Sequence, residues 1–335
     1  MASRNFRVAS LAATAIVFLA AGCSAGSGNA PATSAGALEE PDITIAAVPS
    51  VDLAGVYIAE DDGFFARQGL HVKLVTIAAS KAIIADQIAG KVDLCAGAYM
   101  PYIAAQAAGA RFRILAEGSI MTPDTRVLLT PPDSHVTSIV DLVGKKIGMN
   151  ATNSIGTLLV SAMLQQNGIS PKSVDFVTDP KGFPTMAKQL SAGAWDAAFF
   201  GEPYSTQAQE EYGDVALTDL DAGAATNLPI SGYIATQAWV KKNPRTAAAF
   251  VRAIEAAQLL ADTDRGAVEA AMSVSDHLPR EVTDVMAVPD FPTGPVDATS
   301  IQREALDMVQ FGMVKPQFDA AVRRGTVVES MISPG

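Results

Sequence analysis

Residues 145–168 read KKIGMNATNSIGTLLVSAMLQQNG. A short apolar run with strand character, KKIGM, enters a loop of small polar residues. A helix pattern with an apolar stripe leaves it, closed by Gly168. The loop holds Asn150, Thr152, Asn153, Ser154 and Gly156 and contains no lysine, histidine or acid. One strand, one loop and one helix in this order form the unit of an α/β protein. The same order continues on both sides of the stretch.

Upstream, DITIAAV reads as a strand and LAGVYIAEDDGFFARQG as a helix stopped by Gly69. LHVKLVTI is a strand, and SKAIIADQIAG is a helix running from Ser80 to Gly90. VDLCAGA is a strand, and MPYIAAQAAG is a helix with Pro101 in its first turn. FRILAEGSI and TRVLLTPP are strands. Downstream come VDFVT, FPTMAKQLSAG, WDAAFFGEP, YSTQAQEEYG and DVALTDL, again strand and helix in turn. SGYIATQAWV reads as a strand returning to the first unit, and the remainder is mainly helical. An echo links the two halves: IAGKVDLCAGA and SAGAWDAAFFGEP both carry Ala-Gly-x-x-Asp between a helix and a strand. The glycines are Gly90 and Gly193, and the acids are Asp93 and Asp196. A mostly parallel sheet covered by helices is expected in each half.

The chain of 335 residues is 49% hydrophobic and 18% charged, which describes a folded protein with a sizeable core. Its net charge is −11, and its 24 basic residues are scattered, which gives nucleic acid no footing. The first residues, MASRNFR followed by VASLAATAIVFLAAG, have the charged start and the short apolar run of a secretory signal peptide, predicted over 1–22. The run ends in FLAAGCSAGSG, which resembles the lipobox of bacterial lipoproteins, where the cysteine is acylated and becomes the mature N-terminus. Here Leu19 stands four residues before Cys23 and Ala20 takes the third place, where the pattern prefers Leu. Cys23 is thus the expected lipidation site. Residues 23–41 lack any period and read as a flexible tether.

Chemistry-bearing clusters are scarce. Cys95 would be left without a disulfide partner and reads as a small buried hydrophobe. His71, His135 and His277 stand in unrelated contexts, and no pair has metal-ligand spacing. Neither a metal nor a cofactor is called for. The loop at 150–156 lacks the Gly-Lys-Ser/Thr of a nucleotide phosphate loop. Its unpaired N–H groups at a helix start suit a small polar or anionic group, or only an ordinary capped helix.

The stretch GVYIAEDDGFFARQGLHVKLV resembles the N-terminal signature of the binding proteins of ABC importers for nitrate, sulfonates, taurine and thiamine-pyrimidine precursors. The matching positions are Gly55, Ala59, Glu60, Gly63, Phe64, Phe65, Gly69 and Leu70. NSIGTLLVSAMLQQNGI and LSAGAWDAAFFGEPYSTQA are similar to two further stretches of that family, so the likeness runs from about residue 42 to about 265. It implies a two-lobed α/β fold of the periplasmic-binding-protein type (type II), with a mixed, mostly parallel sheet in each lobe. Two crossovers are then expected near LLTPPDS and LPISGY. Lobe one would comprise 42–130, lobe two 131–231, and 232–335 would return to lobe one and add C-terminal helices. The resemblance also implies a monomeric receptor, lipid-anchored on the extracytoplasmic face of the cell membrane. It would hand a small molecule to an ABC transporter permease with its cytoplasmic ATPase. An enzymatic relative that shares the fold is pyrimidine-precursor synthase, whose chemistry is carried by histidines and cysteines that this chain does not cluster. A structural lipoprotein is the remaining alternative.

In open α/β sheets ligands sit beyond the carboxyl ends of the strands, so each strand-to-helix loop is a candidate wall. The first loop offers Ser50 and Asp52, the latter either a helix cap or a ligand acceptor. The second offers Tyr99, for stacking or a hydrogen bond. The third offers Asn153, Ser154 and Gly156, the glycine leaving access to the backbone. The fourth offers Glu202, which caps a helix or meets an amine-like edge, and the fifth Asn227 and Ser231, with Tyr233 beside them. No basic clamp is visible in these walls, which argues mildly against a bare sulfonate or nitrate. The rings of Tyr99, Phe183 and Tyr204 argue for a flat organic ligand.

Overall fold

The computed structural model describes residues 37–77, 80–275 and 278–333. The predicted signal peptide, the lipidation site Cys23 and most of the tether lie outside the described residues.

The first sheet is built from β1 (Asp42–Ala47), β2 (His71–Thr76), β3 (Leu94–Ala98) and β4 (Phe112–Ile120). The second takes β5 (Arg126–Thr130), β6 (Lys146–Met149), β7 (Asp175–Thr178), β8 (Ala197–Gly201) and β9 (Val215–Asp219). The chain then returns, and β10 (Pro229–Thr236) completes the first sheet. The strand orders are β2-β1-β3-β10-β4 and β7-β6-β8-β5-β9. The two sheets share one plan. Three parallel strands are followed by an antiparallel one that the chain reaches only by crossing between lobes. The fold class expected from the sequence, two α/β lobes with mixed sheets joined by two crossovers, is the one observed.

The Ala-Gly-x-x-Asp echo has a physical cause in this plan. Asp93 and Asp196 stand just before the equivalent strands β3 and β8. Asp93 accepts a hydrogen bond from the Thr44 backbone N–H of β1 at 2.8 Å, and Asp196 one from the Lys146 N–H of β6 at 2.9 Å. Each acid thus pairs with the neighbouring strand before the regular ladder begins. The glycine before it ends the preceding helix in the left-handed region, with φ of 71° at Gly90 and 74° at Gly193.

One lobe boundary differs from expectation. Residues 126–130 were predicted to close lobe one, but β5 pairs with β8 and β9, Val127 facing Phe200 on one side and Asp219 on the other. All five of its residues are buried, which a central position in the second sheet satisfies. The crossovers are therefore residues 121–125 and 220–228, and β10 belongs to lobe one from Pro229 on.

In the Gly-Phe-Phe stretch, Gly63 turns the chain in the left-handed region at φ 71° after the helix Ala54–Asp61, and Phe64 and Phe65 open the short helix Phe64–Arg67. Phe65 is buried and stacks on Phe250 at 5.8 Å, while Phe64 carries the Arg67 guanidinium over its ring. Phe250 lies on the helix Pro244–Thr263, which packs against the helix Ala54–Asp61 through a buried face of small residues including Ala249, Ala253 and Ala257. The approach is close: a β-carbon on Gly55 would meet Gln258 Oε1 at 2.3 Å.

Residues 37–41, expected to be tether, are docked on lobe one instead. Glu39 accepts from the backbone N–H of Arg245 and of Thr246, both at 3.0 Å, at the start of that long helix. Glu40 accepts from Trp239 Nε1 at 3.0 Å and from Asn243 Nδ2 at 2.7 Å. The N–H groups of Arg245 and Thr246 have no partner within the helix, and beside its positive dipole end they attract a carboxylate from wherever the chain can supply one.

Candidate functional site: a cleft between the lobes

A cavity of about 900 Å³ opens between the sheets, within the range of small-molecule sites. Its walls are the loops beyond the carboxyl ends of β1, β3, β6 and β7, together with Phe199 and Gly201 at the end of β8. Lobe two supplies Arg126, Asn150, residues 151–155, Thr178, Asp179 and the ring of Phe183. Lobe one supplies Ser50, Asp52, Ser231 and a broad apolar surface from the helices Ser80–Ile88 and Met100–Ala107. A further apolar part comes from Met308, Met313, Val314 and Phe318 near the C-terminus.

At its floor the lobes are bridged by an ion pair. Arg126 of β5 is 3% exposed and its guanidinium contacts the Asp52 carboxylate across the lobe boundary. Asp52 also accepts from Ser50 Oγ at 2.7 Å and from Ser119 Oγ at 3.3 Å. Ser231 Oγ lies 3.0 Å from Ser119 Oγ and donates to the Asp52 carbonyl at 3.3 Å. Asp52 is therefore no helix cap; its carboxylate is shared by an arginine and two hydroxyls. Burial disfavours the Arg126 charge, but Asp52, Asp221 and Glu202 together hold its pKa above the ordinary value.

Five of the nine sequence-predicted residues line the cavity: Ser50, Asp52, Asn153, Ser154 and Ser231. Ser154 is the N-cap of the helix Ile155–Gln166 and accepts from the Thr157 N–H at 3.4 Å, and Asn153 takes the left-handed conformation at φ 51°.

Four do not line it. Tyr99 is fully buried, and its ring packs over Gly232 of β10, where a β-carbon would lie 2.4 Å from the Tyr99 hydroxyl. Gly156 is buried against Phe199, whose Cδ1 would stand 2.3 Å from an added β-carbon; the glycine serves helix-on-sheet packing rather than ligand access. Glu202 is buried, and its carboxylate accepts from Thr206 Oγ1 at 2.8 Å and from the Ala287 N–H of lobe one at 3.2 Å. Burial pushes its pKa up. Asn227 is exposed on the second crossover, with φ 56°, and its carbonyl accepts from Arg303 at 3.2 Å. Tyr233 is likewise core, and Tyr204 is buried and stacked on Phe183 at 5.3 Å.

Sequence reasoning missed Arg126 as a cleft residue, although an arginine opening an otherwise apolar strand, RVLLT, was a usable signal. It had no signal for Met308, Met313 or Phe318, which follow no motif. Lys81 and Lys315 also reach the cavity from exposed positions.

The sequence model described as "NMT1/THI5 like" matches residues 50–263, more than half of the chain. A 4-amino-5-hydroxymethyl-2-methylpyrimidine phosphate synthase of Uromyces fabae is 26% identical over 60% of this chain and 60% of its own length. A putative binding protein of Bacillus subtilis, YtlA, is 23% identical over 76% of this chain and 72% of its own. Among solved structures, the alkanesulfonate-binding protein SsuA of Xanthomonas axonopodis superposes with a TM-score of 0.73 at 16% identity, covering 85% of this chain and 99% of that one. A shared strand plan at so low an identity establishes the fold. The family match, together with the two-sheet plan and the interlobe cleft, places the chain in the NMT1/THI5-like family.

Proposed function

We propose that the protein is an extracytoplasmic solute-binding receptor that captures a small organic molecule between its lobes and delivers it to an ABC importer. The observation that carries this reading is the cleft. Both lobes contribute side chains to one cavity, and among the described residues two crossovers, residues 121–125 and 220–228, join them. A ligand touching both walls stabilises the closed arrangement over an open one, which is what a permease could recognise. The binding proteins among the structural neighbours support the reading. The charged start, the apolar run and Cys23 support attachment to the membrane through an acylated N-terminus. None of the described helices is long and apolar enough to cross a membrane.

The kinship with a pyrimidine phosphate synthase raises an enzymatic reading. Two features weigh against it. Among the described residues no histidine or cysteine lines the cleft. Cys95 is buried, with its thiol pushed up to about 12 by burial, so it is no ready nucleophile.

Native purification followed by mass spectrometry of the released compound tests the receptor reading, combined with small-angle scattering before and after adding it back. A smaller radius of gyration with ligand and no turnover of the compound is the expected result. Conversion of the compound, or an unchanged radius at saturation, refutes the receptor. Replacing Cys23 by Ala should release the protein from the membrane fraction.

A further inference from the structure

We infer that the cleft receives a molecule with a net-neutral polar head and an apolar tail, and that residues 308–318 help to hold the tail. The inference rests on the receptor reading above and narrows its substrate class.

The head follows from how the floor's charges are already spent. Arg126 is paired with Asp52, and Asp52 accepts from Ser50 and Ser119 as well. Glu202, behind the lining, is engaged by Thr206 and the Ala287 N–H. A bare anion at this floor would draw Arg126 from Asp52 and leave a buried carboxylate uncompensated, the costly way to break a buried pair. A bare cation would do the same to Arg126. Lys81 and Lys315 are exposed at the cavity, where water and salt screen them, so they do not substitute for a buried clamp. The wall also makes a positive demand. Asn150 buries its side-chain oxygen without a hydrogen-bond partner. A head with an N–H or O–H donor answers that oxygen, and an adjacent acceptor can take a bond from the hydroxyls of Ser50 or Ser231.

The tail follows from the asymmetry of the walls. Lobe two sets its polar loops beside Ile155, Phe183 and Phe199, whereas lobe one presents the broader apolar surface, Ile84, Met100, Pro101, Met308, Met313 and Phe318, to the same cavity. Ile88, also in the lining, is 60% exposed, so apolar surface continues beyond the floor. Three methionines in one wall can repack around tails of different shape. Residues 308–318 lie beyond residue 263, where the family match ends, so this part of the pocket belongs to the chain's own C-terminal region.

Titration calorimetry on the full chain with two probe series tests the idea. The series are N-alkylureas and 1-alkanesulfonates, each with tails of two to eight carbons. The ureas should bind, with affinity rising roughly fourfold per added methylene until the pouch is filled. Sulfonates of equal length should bind at least tenfold more weakly. Met313→Ser and Phe318→Ser should each flatten the length dependence while leaving the shortest urea unchanged, with melting curves showing that the variants fold. Sulfonates that outbind ureas, or ureas whose affinity ignores length, overturn the inference. If the compound released from native protein is a compact anion and the lobes close on it, the receptor reading stands and this inference falls. If neither series binds and no released compound closes the lobes, both fall.

Discussion

A β-carbon on Gly156 would lie 2.3 Å from Phe199 Cδ1, with two further ring atoms within 2.6 Å, so even alanine must push a buried ring aside. Overpacking of this kind costs about 1–3 kcal/mol. Gly156→Ala should lower the urea midpoint accordingly, and adding Phe199→Leu should recover part of the loss; no change in midpoint would show that the ring yields freely. The residue illustrates what a sequence conveys at this scale. Small polar residues after a strand, such as Ser50, Asn153 and Ser154, were legible because strand-to-helix loops must face the cleft. Tyr99, Gly156 and Glu202 occupy similar loops and stand apart for a different reason. Which way a side chain turns at a helix start is decided by what packs above it, here Gly232, Phe199 and Thr206, all distant in sequence or one turn ahead.

At the scale of elements, the docking of residues 37–41 makes the start of the helix Pro244–Thr263 depend on a segment some 200 positions earlier. Asn243 is 1% exposed and donates its amide to Glu40. Glu40→Ala would leave that buried donor unpaired, at a cost of about 1–3 kcal/mol. The expected result is a lower melting temperature together with faster amide hydrogen exchange at the first turn of the long helix; exchange unchanged there would mean that the helix start holds itself. Nothing in the sequence pairs these residues, since an acid at the end of a period-free stretch looks the same free or docked. Element types, by contrast, were mostly legible, because most strands and helices carry their own period and stop signal; the exceptions are the end of SGYIATQAWV, which turns helical at Gln237–Lys242, and LAGVYIAEDDGFFARQG, which breaks into two helices at Gly63. Pairing was not: RVLLT follows β4 in the chain, and only its partners β8 and β9 reveal that it belongs to the second sheet.

For the molecule as a whole, the two crossovers are tied to each other where they leave the cleft. Thr125, at the end of the first, donates its hydroxyl to Asp221, at the start of the second. Burial pushes the Asp221 carboxyl up to about 7, with Arg126 and Thr125 offsetting part of the effect and Asp219 and Asp52 adding to it. Burial likewise raises Asp214 to about 6, and Glu304, buried with both oxygens unpartnered, stands well above the ordinary range. An unfolded aspartate titrates near 4, so between about pH 4 and 7 the folded chain binds more protons than the unfolded one. Stability should therefore fall as pH rises through that window. Melting temperatures at pH 5 and pH 8 should differ in that sense, and Asp221→Asn should shrink the difference; a variant with the same pH slope as the parent would place the responsible proton elsewhere. The strand order has a consequence for how the chain is made. All five strands of the second sheet lie in one run, residues 126–219, whereas the first sheet needs β10 to slot between β3 and β4. As the chain emerges from its N-terminus, lobe two can close as soon as its own residues are available. Lobe one must wait with a gap in the middle of its sheet, unpaired edges on both sides, until the last third of the protein arrives. The lobe that begins first is the one that finishes last.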